Sequence, residues 1–196
     1  APPRPLSPSQ LARDDVASPP PSKAMMDAAR KGNLLHKLFE RLPAVLPAQR
    51  AGAARQWLAR QARDLDEAAR DALADKALAV IDHPDFAELF GPDALAEAPV
   101  AAVVGTAVIA GQVDRLLIQP DRIQIIDFKT GLSVPADANA VSPYHLKQMA
   151  AYAAALRRIF PGRRIEAALL YTEVARLIML PDELLRANEP SQQTSS

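Results

Sequence analysis

Gly111-Gln112-Val113-Asp114-Arg115-Leu116-Leu117-Ile118, then Gln119-Pro120-Asp121, then Arg122-Ile123-Gln124-Ile125-Ile126-Asp127-Phe128-Lys129-Thr130-Gly131 is the stretch whose reading decides the fold. Two runs rich in Ile, Leu and Val flank a Pro-Asp pair, the pattern of two antiparallel strands joined by a short turn. An even-numbered turn centred on Pro120-Asp121 sets the register Ile118–Ile123 and Leu116–Ile125. It also places Asp114 opposite Asp127, with Cβ atoms about 5 Å apart. Alternation puts Asp127 and Lys129 on one face and Phe128 on the other. Two carboxylates that close in an apolar sheet repel unless a proton or a cation sits between them. A divalent-metal site is one expectation, with Lys129 about 6–7 Å further along the strand. A hairpin whose acids pair with Arg115, Arg122 and Lys129 is the other, and these residues alone leave both open.

Working outward, the pattern is helical before this stretch and mixed after it. Residues 24–42 place Met25, Ala29, Leu34, Leu35, Leu38, Phe39 and Leu42 at three- and four-residue steps, which predicts a helix that Pro43 ends. His36 lies inside that helix. Two more amphipathic helices are predicted at 50–63 and 66–81. Strands follow at 94–104, which carries Glu97, and at 106–118 and 122–129. Residues 131–143 read as a loop and 144–160 as a helix bearing Gln148 and Tyr152, stopped by Pro161-Gly162. Strands at 164–172 and 176–180 complete the pattern. Residues 1–22, rich in Pro and Ser, are expected to be a disordered linker, a tether from an upstream domain. Residues 23–181 are expected to form the folded domain, and 182–196 a disordered tail.

Composition narrows the function. With 196 residues, 49% hydrophobic, the chain suffices for one well-cored domain with appendages. It has no cysteine, so disulfides, zinc–thiolate sites and iron–sulfur clusters are excluded. The seven glycines form neither a phosphate-binding loop nor a dinucleotide fingerprint, which excludes an ATPase or a nicotinamide enzyme. A Gly-x-Ser-x-Gly elbow is also missing, which argues against a serine hydrolase. No run of eighteen apolar residues and no apolar signal-peptide core occurs, so the expectation is a soluble, cytoplasmic protein without membrane contact. Lys plus Arg equals Asp plus Glu at 23 each. A free-standing nucleic-acid binder carries a basic excess, so a neutral chain acting on nucleic acid is expected to be a module of a larger machine.

The order of chemistry-bearing residues is then distinctive. Gly32-x-x-x-His36, Gly111-x-x-Asp114-Arg115, Ile125-Ile126-Asp127-Phe128-Lys129-Thr130 and Gln148-x-x-x-Tyr152 follow one another on a helix, two strands and a helix. In this the chain resembles the RecB-like group of the PD-(D/E)XK nuclease superfamily, over roughly residues 24–180. Its likeness is to AddA-type nuclease domains of bacterial helicase–nucleases. The four-cysteine iron–sulfur staple of a related subgroup, which includes AddB-type subunits, is missing here.

The resemblance implies an α/β fold with a restriction-endonuclease-like αβββαβ core, a mixed sheet flanked by helices, with a helical N-terminal section. It implies a Mg2+-dependent deoxyribonuclease, with Mn2+ as a substitute, that hydrolyses single strands produced by unwinding during double-strand-break repair. His36, Asp114, Asp127 and the Phe128 backbone carbonyl would ligate the metal. Lys129 would act on the attacking water, with Gln148 and Tyr152 completing the catalytic set and Glu97, Arg115 and Thr130 in support. Hard oxygen donors with one imidazole suit Mg2+ and Mn2+ on independent grounds. Expected partners are DNA, helicase domains upstream in the same full-length chain, and an AddB-type subunit, in a nucleoid-associated bacterial setting. A catalytically inactive module of this fold, acting in DNA scanning or complex assembly, is the alternative. A non-nuclease interaction domain, whose helices 24–81 bind a partner, is a third reading.

Overall fold

The computed structural model describes residues 22–190. Apart from Ser22, the expected linker lies outside them, as does 191–196 of the expected tail.

Helix α1 (Lys23–Arg41) starts where the Ser22 hydroxyl accepts the Met25 N–H at 3.2 Å. It buries Leu34, Leu35, Leu38 and Phe39 on one stripe. Helix α2 (Pro47–Gln61) has Pro47 at its first position, where a missing N–H costs nothing. Helix α3 (Glu67–Ile81) is capped by the Asp66 carboxylate, which accepts the Ala69 N–H at 2.7 Å. Five strands follow, β1 (Ala94–Val104), β2 (Ala107–Ile118), β3 (Arg122–Lys129), β4 (Arg164–Tyr171) and β5 (Arg176–Leu180). Helix α4 (Pro143–Ile159) lies between β3 and β4, and α5 (Asp182–Ala187) follows β5.

The strands stand in sequence order in one sheet. All neighbours are antiparallel except β3 and β4, which run parallel with α4 as their crossover. β1 and β2 form a hairpin closed by Gly105-Thr106, with Gly105 at φ +59° as such a two-residue turn requires. β2 and β3 pair as Ile118–Ile123 and Leu116–Ile125, the predicted register.

Helices cover both faces. Ile123, Ile125, Ala167 and Leu169 share a core with α4, while Ile126, Phe128, Ala168 and Leu170 share one with α1 to α3. This is a mixed sheet flanked by helices, consistent with a restriction-endonuclease-like α/β fold. Full burial of a side chain such as Phe39 or Leu169 contributes about 1.5–3 kcal/mol.

One boundary differs from expectation. The chain from Asp182 was expected to be disordered, yet 182–187 form α5. Leu185 is buried there, and Arg157 of α4 pairs with Asp182 and Glu189. Six residues are too few to show a period, so only tertiary contacts reveal this helix.

Candidate active site

The predicted alternation holds along most of the sheet and breaks at one place. Ala94 and Ala98 have the same parity, yet Ala94 joins the core under α1 to α3 and Ala98 the core under α4. Leu117 and Val113, their partners on β2, switch cores in the same way. Between these pairs lie Glu97 and Asp114, where the β1–β2 pairing is interrupted. Glu97 has φ +49°, a left-handed conformation that costs a non-glycine residue about 1–3 kcal/mol.

The β2–β3 ladder ends at the same level. Its last pair is Arg115–Ile126, one short of the predicted Asp114–Asp127 pair. Beyond it the Asp114 side chain takes over, since its Oδ2 accepts the Phe128 N–H at 2.6 Å. Its Oδ1 lies 3.2 Å from His36 Nδ1. His36 is held by packing as well, edge-on to the Phe128 ring at 5.6 Å. One ligand atom each from His36, Glu97 and Asp114 then lie within 4.8 Å of one another. Among the described residues this is the group that could hold a metal ion. One imidazole and two carboxylates make a donor set suited to Mg2+ or Mn2+.

Asp127 stands beside this group. Its Oδ2 lies 2.6 Å from Lys129 Nζ, and both side chains are about 15% exposed. Burial holds the Asp127 carboxyl above the usual carboxylate range, and the Asp114 charge adds to this against the pull of Lys129. Lys129 Nζ also donates to Gln148 Oε1 of α4 at 3.4 Å. Thr172, just after β4, fixes the Lys129 backbone, with its N–H and hydroxyl both directed at the Lys129 carbonyl at 3.0 and 3.3 Å. Carboxylates, an imidazole and a half-buried lysine thus converge where the sheet opens.

A family model of the PD-(D/E)XK nuclease superfamily matches residues 10–194. The chain belongs to that superfamily. A solved structure of a provisionally named exonuclease from Eubacterium rectale is similar at TM-score 0.54 with 14% identity. The match covers 88% of this chain and 64% of that one, so the likeness concerns the fold and part of a longer protein. A second solved structure, SSO0001, is matched at TM-score 0.33 and 18% identity over 82% of this chain and 84% of that one, which carries no argument. No curated protein matches the chain.

Within this superfamily fold, several motif residues act by holding others. A Cβ on Gly32 would meet Thr130 Oγ1 at 2.7 Å, so α1 crosses the end of β3 closely enough that a side chain there must displace the Thr130 hydroxyl. That crossing sets His36, one turn along α1. In a double-mutant cycle, Gly32→Ala should weaken Mn2+ binding about tenfold, and most of that loss should vanish in a Thr130→Ala background. Equal losses in both backgrounds would show that the close approach does not position His36.

Arg115 is 3% exposed and, like Asp114, reaches helix α1. Its Nη2 donates to the Phe39 carbonyl at 2.5 Å and its Nη1 to the Ala94 carbonyl at 3.3 Å, with the guanidinium 5.1 Å from the Phe90 ring centre. The Phe39 carbonyl needs this donor because residue 43, whose N–H would complete the helix, is proline. Burial lowers the Arg115 pKa to about 10, and its Nε has no partner. Tyr152 is likewise buried, donates to the Gln112 carbonyl at 2.7 Å, and has its pKa pushed up to about 12, first by burial. It pins α4 to β2 two residues from Asp114.

Sequence reasoning gave Glu97 a supporting place and Asp127 a ligand's place. The structure brings Glu97 into the three-residue group with His36 and Asp114, and sets Asp127 beside that group with Lys129 Nζ 2.6 Å away. Thr172 was missed, having no motif around it. His145 lies in the first turn of α4 within reach of the Lys129 charge, and burial lowers its pKa to about 4. None of the helices in the described residues is long and apolar enough to cross a membrane.

Proposed function

We propose that this chain is a metal-dependent deoxyribonuclease module that hydrolyses phosphodiester bonds in single strands. Its setting would be an AddA-type helicase–nuclease of double-strand-break repair. The observation that carries the reading is the meeting of His36, Glu97 and Asp114 beside the Asp127–Lys129 pair, in a nuclease-superfamily fold.

His36, Glu97 and Asp114 would hold Mg2+ or Mn2+, with Asp127 and the Phe128 carbonyl as further oxygen donors. A bound divalent cation neutralises phosphate charge and lowers the pKa of a water. Lys129, steered by Gln148 and Asp127, would place its ammonium against the scissile phosphate and the attacking water. Asp114 has a second task, because its bond to the Phe128 N–H fixes the backbone between Asp127 and Lys129. Helicase domains in a longer chain and an AddB-type subunit are the proposed partners, in a nucleoid-associated cytoplasmic setting.

The test is cleavage of an end-labelled single strand, expected in Mg2+ or Mn2+ and lost in chelator. Calorimetric titration with Mn2+ should show binding weakened at least about tenfold in each of His36→Ala, Glu97→Gln and Asp114→Asn. Unchanged Mn2+ affinity in all three would refute the ligand group. A folded protein that binds Mn2+ and never cuts would refute the enzyme.

A further inference from the structure

We propose that the two grooves flanking Trp57, between α1 and α2, form a docking surface for single-stranded nucleic acid leading to the acidic site. This rests on the nuclease reading above and extends it to the path of the substrate.

The first observation is charge. The chain is formally neutral, but residues 23–63 carry nine Lys and Arg against two acids, Asp27 and Glu40. Residues 64–97 carry ten acids against Arg70 and Lys76. Part of this imbalance closes internally, through Arg55 with Asp71 and Asp75, Arg50 with Asp82, and Arg30 with Asp64. Neutrality of the whole chain therefore hides a basic α1–α2 surface.

The second observation is what lines the grooves. One, of about 490 Å³, is bordered by Arg30, Asn33, Lys37 and Gln61, and the other, of about 220 Å³, by Arg41, Gln56 and Arg60. Trp57, the chain's one tryptophan, walls both. Four cations and no carboxylate line them. Arg41 holds its guanidinium over the indole, 5.7 Å from the ring centre. The exposed Lys37–Glu40 pair holds weakly and yields to a phosphate, whereas Arg30 must exchange its forked pair with Asp64 for one. The larger cleft, about 820 Å³, is lined by Glu40 and Asp82 as well as Arg50 and would not draw an anion in the same way.

The third observation is continuity. Lys37 follows His36 directly, and its ammonium lies within electrostatic reach of Glu97. A strand laid along Arg60, Trp57 and Lys37 is thereby delivered to the edge of the acidic group. An aromatic platform among cations is the chemistry of single-strand binding. Unpaired bases stack on the ring while phosphates meet the cations. A duplex keeps its base faces covered and cannot use the platform.

Because Trp57 is unique, its fluorescence reports the groove directly. In chelator, a short oligothymidylate should quench it saturably. The log–log salt slope should be about −3, as four phosphate contacts on a single strand predict. Trp57→Leu should weaken binding of a labelled strand about tenfold, and Trp57→Phe should retain most of it. Exposed Arg60→Gln should reduce the slope by about 0.7 and provides a test should Trp57→Leu fold poorly. Equal affinity for a duplex, or binding without quenching, would overturn the proposal. Cleavage on adding Mn2+ with Trp57 unquenched would overturn the groove and leave the nuclease reading standing. Quenching without cleavage would support the groove and overturn the nuclease reading.

Discussion

Lys129→Ala should slow cleavage by about 10²–10⁴-fold, the usual cost of removing a positioned proton-transfer group. The same change should leave Mn2+ affinity unchanged or tighter, because Asp127 is then freed from the ammonium 2.6 Å away. In chelator the variant should melt lower than wild type, since a largely buried carboxylate beside Asp114 loses its counter-charge. Adding Mn2+ should recover at least as much stability in the variant as in wild type, since the gain follows the affinity of the folded state. Melting, Mn2+ titration and cleavage on one preparation decide the matter. A variant that binds Mn2+ and cuts at the wild-type rate removes Lys129 from the chemistry.

The strands were legible because their signals are local. Ile, Leu and Val runs punctuated by Pro120-Asp121 and Gly105 fix both boundaries and register, and β1, β3 and β5 fall where the pattern places them. Helices were legible from their stripes, with ends shifted by a few residues, as when Pro47 starts α2 three residues early. What the pattern could not show is the break at Glu97 and Asp114. Period-two reasoning assumes an unbroken pleat, and β1, with alanine at 94, 96, 98, 101 and 102, carries too little contrast to reveal a switch of face.

That break explains why the site was only partly legible. Gly32, His36, Asp114, Asp127, Lys129 and Gln148 stand out by spacing, and the fold does gather them. Their division of labour depends on three-dimensional detail. The left-handed turn at Glu97 swings a mid-strand glutamate into the His36–Asp114 group, while Asp127 settles on Lys129. No spacing rule tells which of two aspartates on facing strands meets His36 and which meets Lys129. Thr172 acts through the Lys129 backbone, a contact across parallel strands 43 residues apart in sequence.

Arg115→Met should lower both the melting temperature and Mn2+ affinity, the latter by about 10–100-fold, the range for residues that orient ligands. The reasoning starts from the two carbonyls. Replacing a buried arginine by an apolar side chain of similar volume is often tolerated, but here it strands the Phe39 and Ala94 oxygens without donors. Each such loss costs about 1–3 kcal/mol. The effect on metal follows from where those oxygens lie. Phe39 is three residues beyond His36 on α1, Ala94 three before Glu97 on β1, and Arg115 itself adjoins Asp114 on β2. One guanidinium thus ties together the three elements that carry the candidate ligands. Arg115→Lys should recover little, since a single ammonium cannot span two carbonyls as the planar fork does. A residue that served stability alone would shift melting and leave Mn2+ affinity, measured well below the transition, at the wild-type value. That result would confine Arg115 to the core. A parallel fall in affinity with intact circular dichroism would make it the residue that sets the spacing of His36, Glu97 and Asp114.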